Sequence, residues 1–320
     1  MPLPSNSAGD VAAKAATAAA PAVAAATAKA GKPADKAKAG SSAESAKASA
    51  SAPNGASADK AKAGTATAPR FGRRVRLRLG AEGARADLLA GLNKPKVVAT
   101  QQMEYRPGTA TLPEVVQALD PLLAALATAV GPLRGLACDV LIGDAWMLYD
   151  VVRADLRSLP PRAADDVVRS ALADVAGLPP TDVVTRWQTQ VGGRCTIACG
   201  MPAAALPSLQ TLLKGHKLHP GQIVGEFVYE YNAHRDRLGS RSAVISLVRE
   251  TGTQLAVAAE GVLTAMSFEL GVRAPEDLEV RGRGLARGAG LTLDADTRFF
   301  ALLPAGWMPP APWVAVPTTA

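Results

Sequence analysis

Between Ala243 and Leu270 the chain reads AVISLVRETGTQLAVAAEGVLTAMSFEL, and this stretch limits the fold more than any other. Ile245, Leu247, Leu255, Val257, Met266 and Phe268 are spaced for packing along strands, while Glu250-Thr251-Gly252-Thr253 and Glu260-Gly261 supply the turns. The pattern predicts a three-stranded meander. It serves as the central sheet of the second half of the chain, because the preceding segments offer helices and further strands that can pack around it.

The amount of chain available for that packing is set by a break near residue 70. Residues 1–70 are mostly Ala, Lys, Gly, Ser, Thr and Pro, without one aromatic side chain. They cannot bury enough apolar surface to offset the entropy of ordering, so a disordered arm is expected there. The heptapeptide ADKAKAG occurs twice in it, at 34–40 and 58–64, a weak repeat in a low-complexity background. Nine Lys or Arg stand against four acids in the arm, and Arg73, Arg74, Arg76 and Arg78 follow directly, so the net charge of +7 belongs to the arm and its junction. A solvated spacer explains the arm, and a nucleic-acid or anionic-membrane contact through its lysines is the alternative. The domains expected are therefore a first α/β lobe over 71–238, a second lobe with the meander over 239–303, and a Pro-rich tail over 304–320. Three cysteines make no disulfide framework, and neither a spanning helix nor a signal peptide is expected, which together fit a cytoplasmic protein.

Along the core, Phe71–Leu79 alternates Val75, Leu77 and Leu79 with Arg74, Arg76 and Arg78, predicting a half-buried strand. Its four arginines either form an exposed strand face or a basic patch for phosphate. Lys96–Tyr105 is a second strand. Thr111-Leu112-Pro113-Glu114 is a capping box opening a helix that runs to Gly131, with a kink expected at Pro121. Leu136–Val152 is expected as a hairpin turning at Gly143-Asp144. Arg162–Ala176 is an amphipathic helix, Val183–Cys199 a hairpin turning at Gly192-Gly193, and Ala203–Lys214 and Glu226–Leu238 are further helices. RGRGLARGAG at 281–290 is expected as a flexible surface loop, Phe299–Leu303 as a short strand, and the end from Pro304 as irregular, anchored by Trp307 and Trp313.

Few residues carry chemistry. Cys195, Cys199, His216 and His219 have the elements of a zinc site, but Cys195 and Cys199 on one strand spread over about 13 Å instead of forming a knuckle. No G-x-S-x-G elbow and no G-x-x-x-x-G-K-[ST] loop occurs, and Cys138 has no neighbour to activate it. The glycines at 282, 284, 288 and 290, with Arg281, Arg283 and Arg287, are the single Gly-rich candidate for cradling phosphate. No catalytic, cofactor-binding or metal-binding residue is assigned.

The order of these elements resembles that of degenerate actin-like proteins. The residues carrying the likeness are Leu141-Ile142-Gly143-Asp144-Ala145-Trp146-Met147-Leu148-Tyr149, Val228-Tyr229-Glu230-Tyr231-Asn232-Ala233-His234-Arg235 and Ser246-Leu247-Val248-Arg249-Glu250. Over about 115–303 the chain is similar to the PilM-like proteins and L-component cytoplasmic domains of type IV pilus and type II secretion platforms. The resemblance implies an α/β, RNase H/actin-like fold with mixed sheets in two lobes. It further implies a non-catalytic scaffold without cofactor, cytoplasmic and peripheral at the inner membrane, whose partner is a membrane-anchored platform protein or a second copy of the chain. ATP-binding relatives place an Asp and small Gly or Thr residues on a hairpin for phosphate and metal. Here Arg249, Glu250, Thr251, Gly252 and Thr253 stand instead, which argues against hydrolysis. Trp146, Tyr149 and Trp187 are the expected partner-binding aromatics. An actin-like nucleotide-binding ATPase and a nucleic-acid protein acting through the arm and Arg73–Arg78 remain the alternatives.

Overall fold

The computed structural model describes residues 72–92, 95–105, 111–238, 241–249, 251–270, 275–293, 296–303, 308–309 and 311–319. The Ala/Lys-rich residues 1–70, Glu250 and Trp307 lie outside them. The elements in chain order are β1 (Arg73–Leu79), β2 (Gly83–Ala90), β3 (Lys96–Glu104), α1 (Leu112–Gln117), α2 (Asp120–Val130), β4 (Ala137–Ile142), β5 (Leu148–Val152), α3 (Pro161–Ala176), β6 (Val183–Thr189), β7 (Thr196–Pro202) and α4 (Ala205–Gly215). There follow β8 (His219–Gly225), α5 (Glu226–Leu238), β9 (Ala243–Arg249), β10 (Gly252–Ala259), β11 (Val262–Leu270), α6 (Pro275–Gly288), β12 (Arg298–Leu303) and β13 (Trp313–Pro317).

Two five-stranded sheets share one topology. The first runs β3-β2-β1-β4-β8 and the second β11-β10-β9-β12-β13. In each, the first three strands in sequence form an antiparallel meander and the last two add parallel to the first strand of that meander. A third, three-stranded sheet, β5-β7-β6, is antiparallel and carries α3 on one face. The predicted meander is thus β9 to β11, at the centre and one edge of the second sheet.

Alternation along β1 places Val75, Leu77 and Leu79 on one face of the first sheet, in register with Ala84, Ala86 and Leu88 of β2 and Cys138, Val140 and Ile142 of β4. That face joins Leu112, Val116, Leu122, Leu123 and Leu126 of the two preceding helices in the main core. The carboxylate of Glu114 accepts hydrogen bonds from the backbone N (2.7 Å) and hydroxyl (2.9 Å) of Thr111, which completes the capping box. Pro121 has no N–H for the carbonyl four residues back, so the helix breaks at Ala118-Leu119 into α1 and α2. Leu112–Val130 together have the length and hydropathy of a membrane span. Their apolar stripe is used against the first sheet, as in any amphipathic core helix.

Several expectations are corrected. Leu136–Val152 is not a hairpin: β4 belongs to the first sheet and β5 to the third. Gly143 donates its N–H to the Leu79 carbonyl (2.7 Å), and a Cβ at Gly143 would lie 2.9 Å from that oxygen. This tie extends the β1–β4 pairing past Ile142 and sends the chain away from β4 through a short 3-10 turn at Asp144–Trp146. The segment 281–288 is not a loop but the second half of α6, where a Cβ on Gly282 would stand 2.9 Å from Val244 and 3.3 Å from Trp313. Glycine there serves close helix–sheet packing. The supposedly irregular end contains β13, whose Trp313 is buried against Phe299 with ring centroids 5.2 Å apart. Two strands, β2 and β8, were not anticipated at all. β8 is an edge strand with most of its residues exposed, so it carries no apolar alternation to read.

The second sheet is covered on both faces. Val244, Val248, Leu255, Val257, Phe299 and Ala301 meet α6, while Ala243, Ile245, Leu247, Ala256, Phe300 and Leu302 join the main core with Phe227 and Leu238 of α5. Continuous burial of β9 and β10 follows from that, and so does their near-unbroken apolar sequence.

Candidate functional site

A cavity of about 310 Å³ opens where the β1–β2 turn, the end of β4, the start of α5 and the β9–β10 turn converge. Gly80, Ala81, Glu82 and Gly83 line it from the first sheet, with Gly143 and Asp144; Arg249, Thr251, Gly252 and Phe268 line it from the second. It sits at the carboxyl ends of parallel strands β1 and β4 and at the N-terminus of α5, a place where α/β proteins commonly hold anions.

Here protein carboxylates fill that role. Asp144 is 5% exposed, and its Oδ1 accepts from the Tyr149 hydroxyl (2.6 Å) and from the Phe227 backbone N–H in the first turn of α5 (3.0 Å). Burial pushes this carboxyl up to about 7, against the two hydrogen bonds, which lower it. Its Oδ2 is buried without a hydrogen bond. Beside it, Glu226 holds Arg249 through Nε (3.1 Å) and Nη2 (2.7 Å), an ion pair between α5 and the second sheet. The cation standing in the turn is thereby neutralised by the protein itself. Among the described residues no three His, Cys, Asp or Glu side chains converge to hold a metal ion.

A second concavity, about 320 Å³, lies between the third sheet, α5 and the β10–β11 turn. Trp187, Ile197, Phe227, Val228, Tyr231, Val262, Leu263 and Met266 give it apolar walls, and Arg186 and Arg235 are the charged residues lining it. One side chain fixes its width: Gln190 donates to the Leu263 carbonyl (2.7 Å) and accepts from the Leu263 N–H (2.8 Å), joining β11 to the turn beyond β6. Phe227 connects the two cavities. Its backbone N–H holds Asp144, its ring stacks on Tyr231 (6.0 Å) and meets Tyr149 edge-on (6.2 Å).

The structure separates the aromatics singled out from the sequence. Trp187 lines the groove and donates its indole N–H to Asp165 of α3 (2.6 Å). Tyr149 is buried beneath, bonded to Asp144, while Trp146 is half-buried against the main core. Two of the β1 arginines, Arg76 and Arg78, meet α5 and the segment after β13 instead of lying on an exposed strand face. Arg76 is buried with its guanidinium 5.4 Å from the Tyr229 ring centroid, and Arg78 donates to the Thr319 carbonyl (2.8 Å). Arg74 lies 3.6 Å from Asp139, and Arg73 is half-buried at the start of the strand. Glu230, fully buried, accepts from the Thr319 N–H (2.9 Å) and hydroxyl (2.8 Å), which fastens the chain end across that face. Cys195 is buried, His216 pairs with Asp120 (2.9 Å), and burial pushes the Cys138 thiol up to about 12. Sequence reasoning passed over Glu226 and Met266 as site residues and read Asp144 as a turn. Nothing local distinguishes them, since each acquires its role from a partner far along the chain.

With two sheets of one topology facing a cleft, the chain has the RNase H/actin-like fold. No protein-family model and no curated protein matches the sequence. Among solved structures it is similar to the PilM-PilN type IV pilus biogenesis complex, at 15% identity and a TM-score of 0.51, over 73% of this chain and 82% of that one. It is also similar to a Bacteroides thetaiotaomicron protein of actin-like ATPase fold and unknown function, at 10% identity and a TM-score of 0.48 over 73% and 83% of the two chains. A third likeness is to the cytoplasmic domain of EpsL, an inner-membrane component of the Vibrio cholerae type II secretion system, at 12% identity and a TM-score of 0.47 over 78% and 90%. At 15% identity the likeness to the PilM-PilN structure shows the fold alone.

Proposed function

We propose that this chain is a non-catalytic actin-like adaptor that holds a segment of another protein, as a component of a pilus or secretion platform on the cytoplasmic side of an inner membrane. The observation that carries the reading is the groove between the third sheet, α5 and β11, an apolar trough of about 320 Å³ with Arg186 and Arg235 among its lining residues. Aromatic and Met side chains walling a groove suit an extended or helical peptide, whose own apolar residues would fill it. That the similar PilM-PilN structure is a pilus biogenesis complex supports a partner drawn from such a platform.

The chemistry of the cleft supports the non-catalytic part. Phosphate at the N-terminus of α5 would have to displace Asp144 from the Phe227 N–H, and Arg249 would have to leave Glu226. Two carboxylates, those of Glu82 and Glu226, and the buried Asp144 carboxyl line the cavity beside one guanidinium, so the cavity offers phosphate no net positive charge. The rival reading, a nucleotide-binding ATPase, draws on the position of the cleft at the strand ends. The two separate in one experiment on the full chain, combining MgATP turnover with binding of candidate platform peptides by calorimetry. The adaptor reading expects no turnover above buffer and peptide binding that Met266→Asp abolishes. Turnover that Glu226→Gln alters, with no peptide binding, would establish the rival.

A further inference from the structure

On the side of the first sheet away from the cleft, cationic side chains gather without acids. The turn after α2, the end of α4 and the start of β8 enclose an open pocket of about 540 Å³, to which Arg134, Lys214, Lys217 and His219 contribute. No carboxylate lines it among the described residues. Asp120 is taken up by His216 at 2.9 Å. The pocket is held by backbone bonds: the Gly135 N–H donates to the Lys217 carbonyl and the His219 N–H to the Leu136 carbonyl, both at 2.9 Å.

Lys217 stands where a different residue is expected. The Leu218 N–H reaches the Leu213 carbonyl (2.9 Å) and the Lys217 N–H the Lys214 carbonyl (3.0 Å), the two bonds that close a helix with a left-handed residue. Glycine normally fills that position, yet here Lys217 adopts φ 56°. Local stability alone would favour glycine. The dipole at the end of α4 accounts for Lys214; it does not account for Arg134 on another segment or for a side chain at the strained position.

We propose that this pocket binds a phosphate-bearing anion, either a free phosphate ester or the headgroup of an anionic lipid. Arg134 offers a forked donor, Lys214 and Lys217 point charges, and the His219 ring an N–H, a set suited to several phosphate oxygens. No Phe, Tyr or Trp ring lines the pocket among the described residues.

The test uses the full chain with two probes: inorganic pyrophosphate by calorimetry, and flotation with phosphatidylcholine vesicles with or without phosphatidylglycerol. Lys217→Gly is expected to raise the thermal unfolding midpoint and yet weaken binding about fivefold, and Arg134→Ala with Lys214→Ala to weaken it about 25-fold. Lys36→Ala with Lys38→Ala removes equal charge from the N-terminal arm and is expected to leave pyrophosphate binding unchanged. Pocket-dependent binding of pyrophosphate identifies a free phosphate ester, and pocket-dependent binding of anionic vesicles alone identifies a headgroup. Wild-type affinity for both probes in the pocket variants would overturn the proposal. So would an equal loss of pyrophosphate binding in the arm variant.

Discussion

Asp144→Asn isolates the buried carboxyl at the floor of the cleft. In the fold this group titrates at about 7 instead of 3.8, because burial disfavours its charged form. From about pH 4 to about pH 7 the unfolded chain has released this proton while the folded chain retains it. Stability therefore falls as pH rises through that window, by roughly 4 kcal/mol at 1.36 kcal/mol per unit. Asparagine never ionises, and its carbonyl oxygen still accepts from Tyr149 and Phe227. Its amide N–H groups, however, replace Oδ2 at a buried position without a partner, which costs about 1–3 kcal/mol. The variant should thus be less stable than wild type by roughly 0.5–2.5 kcal/mol near pH 4, where the wild-type carboxyl is neutral in the fold and only beginning to ionise in the unfolded chain. Near pH 8 it should be more stable by about 1–3 kcal/mol, a gain of several degrees in midpoint for a domain of this size. Thermal unfolding of both proteins at pH 4, 6 and 8 measures the crossing, since other titrating groups cancel in the difference. A variant destabilised equally at all three values would refute the reasoning.

Gly225→Ala places a methyl group against the Tyr149 hydroxyl and Met147 and should destabilise the chain by about 1–3 kcal/mol, read from denaturant unfolding. Gly282→Ala should cost a comparable amount by prising α6 from Val244, whereas Gly284→Ala, with open space at its Cβ, should be neutral or stabilising. For the partly buried Arg249–Glu226 pair, a double-mutant cycle with Arg249→Met and Glu226→Gln should give a coupling of about 1–2 kcal/mol that weakens little with salt. Thr111→Ala should cost about 1 kcal/mol through loss of the capping box, measured by the same unfolding assay.

Much of the architecture was legible because its signals are local. The meander, the capping box, the stop at Gly131, the Gly192-Gly193 hairpin and the amphipathic α3 each rest on a period or a turn residue within a short window. What was not legible depends on partners distant in sequence. Strand β4 looks like half of a hairpin until its pairing with β1 and β8 is known, and Gly143-Asp144 resembles a turn although Gly143 is tied to Leu79. The arginines of β1 alternate as a solvated face would, yet α5 meets Arg76 and Thr319 meets Arg78. Glycines at 282, 284 and 288 suggest a loop on composition, and only the closeness of Val244 and Trp313 explains Gly282 inside a helix. The site was least legible, since the groove joins β6, α5 and β11, elements more than 70 residues apart at its extremes.

The central claim, that the groove receives a segment of a platform protein, is tested most directly by site-specific photo-cross-linking in the native cell. A photoreactive residue replacing Met266 lies in the groove, and one replacing Val175, 65% exposed on α3, serves as the reference surface. The account predicts one dominant product from position 266, identified by mass spectrometry as a membrane-anchored assembly protein joined through a single short segment, and no such product from position 175. Identical products from both positions, or no protein product from position 266, would contradict it.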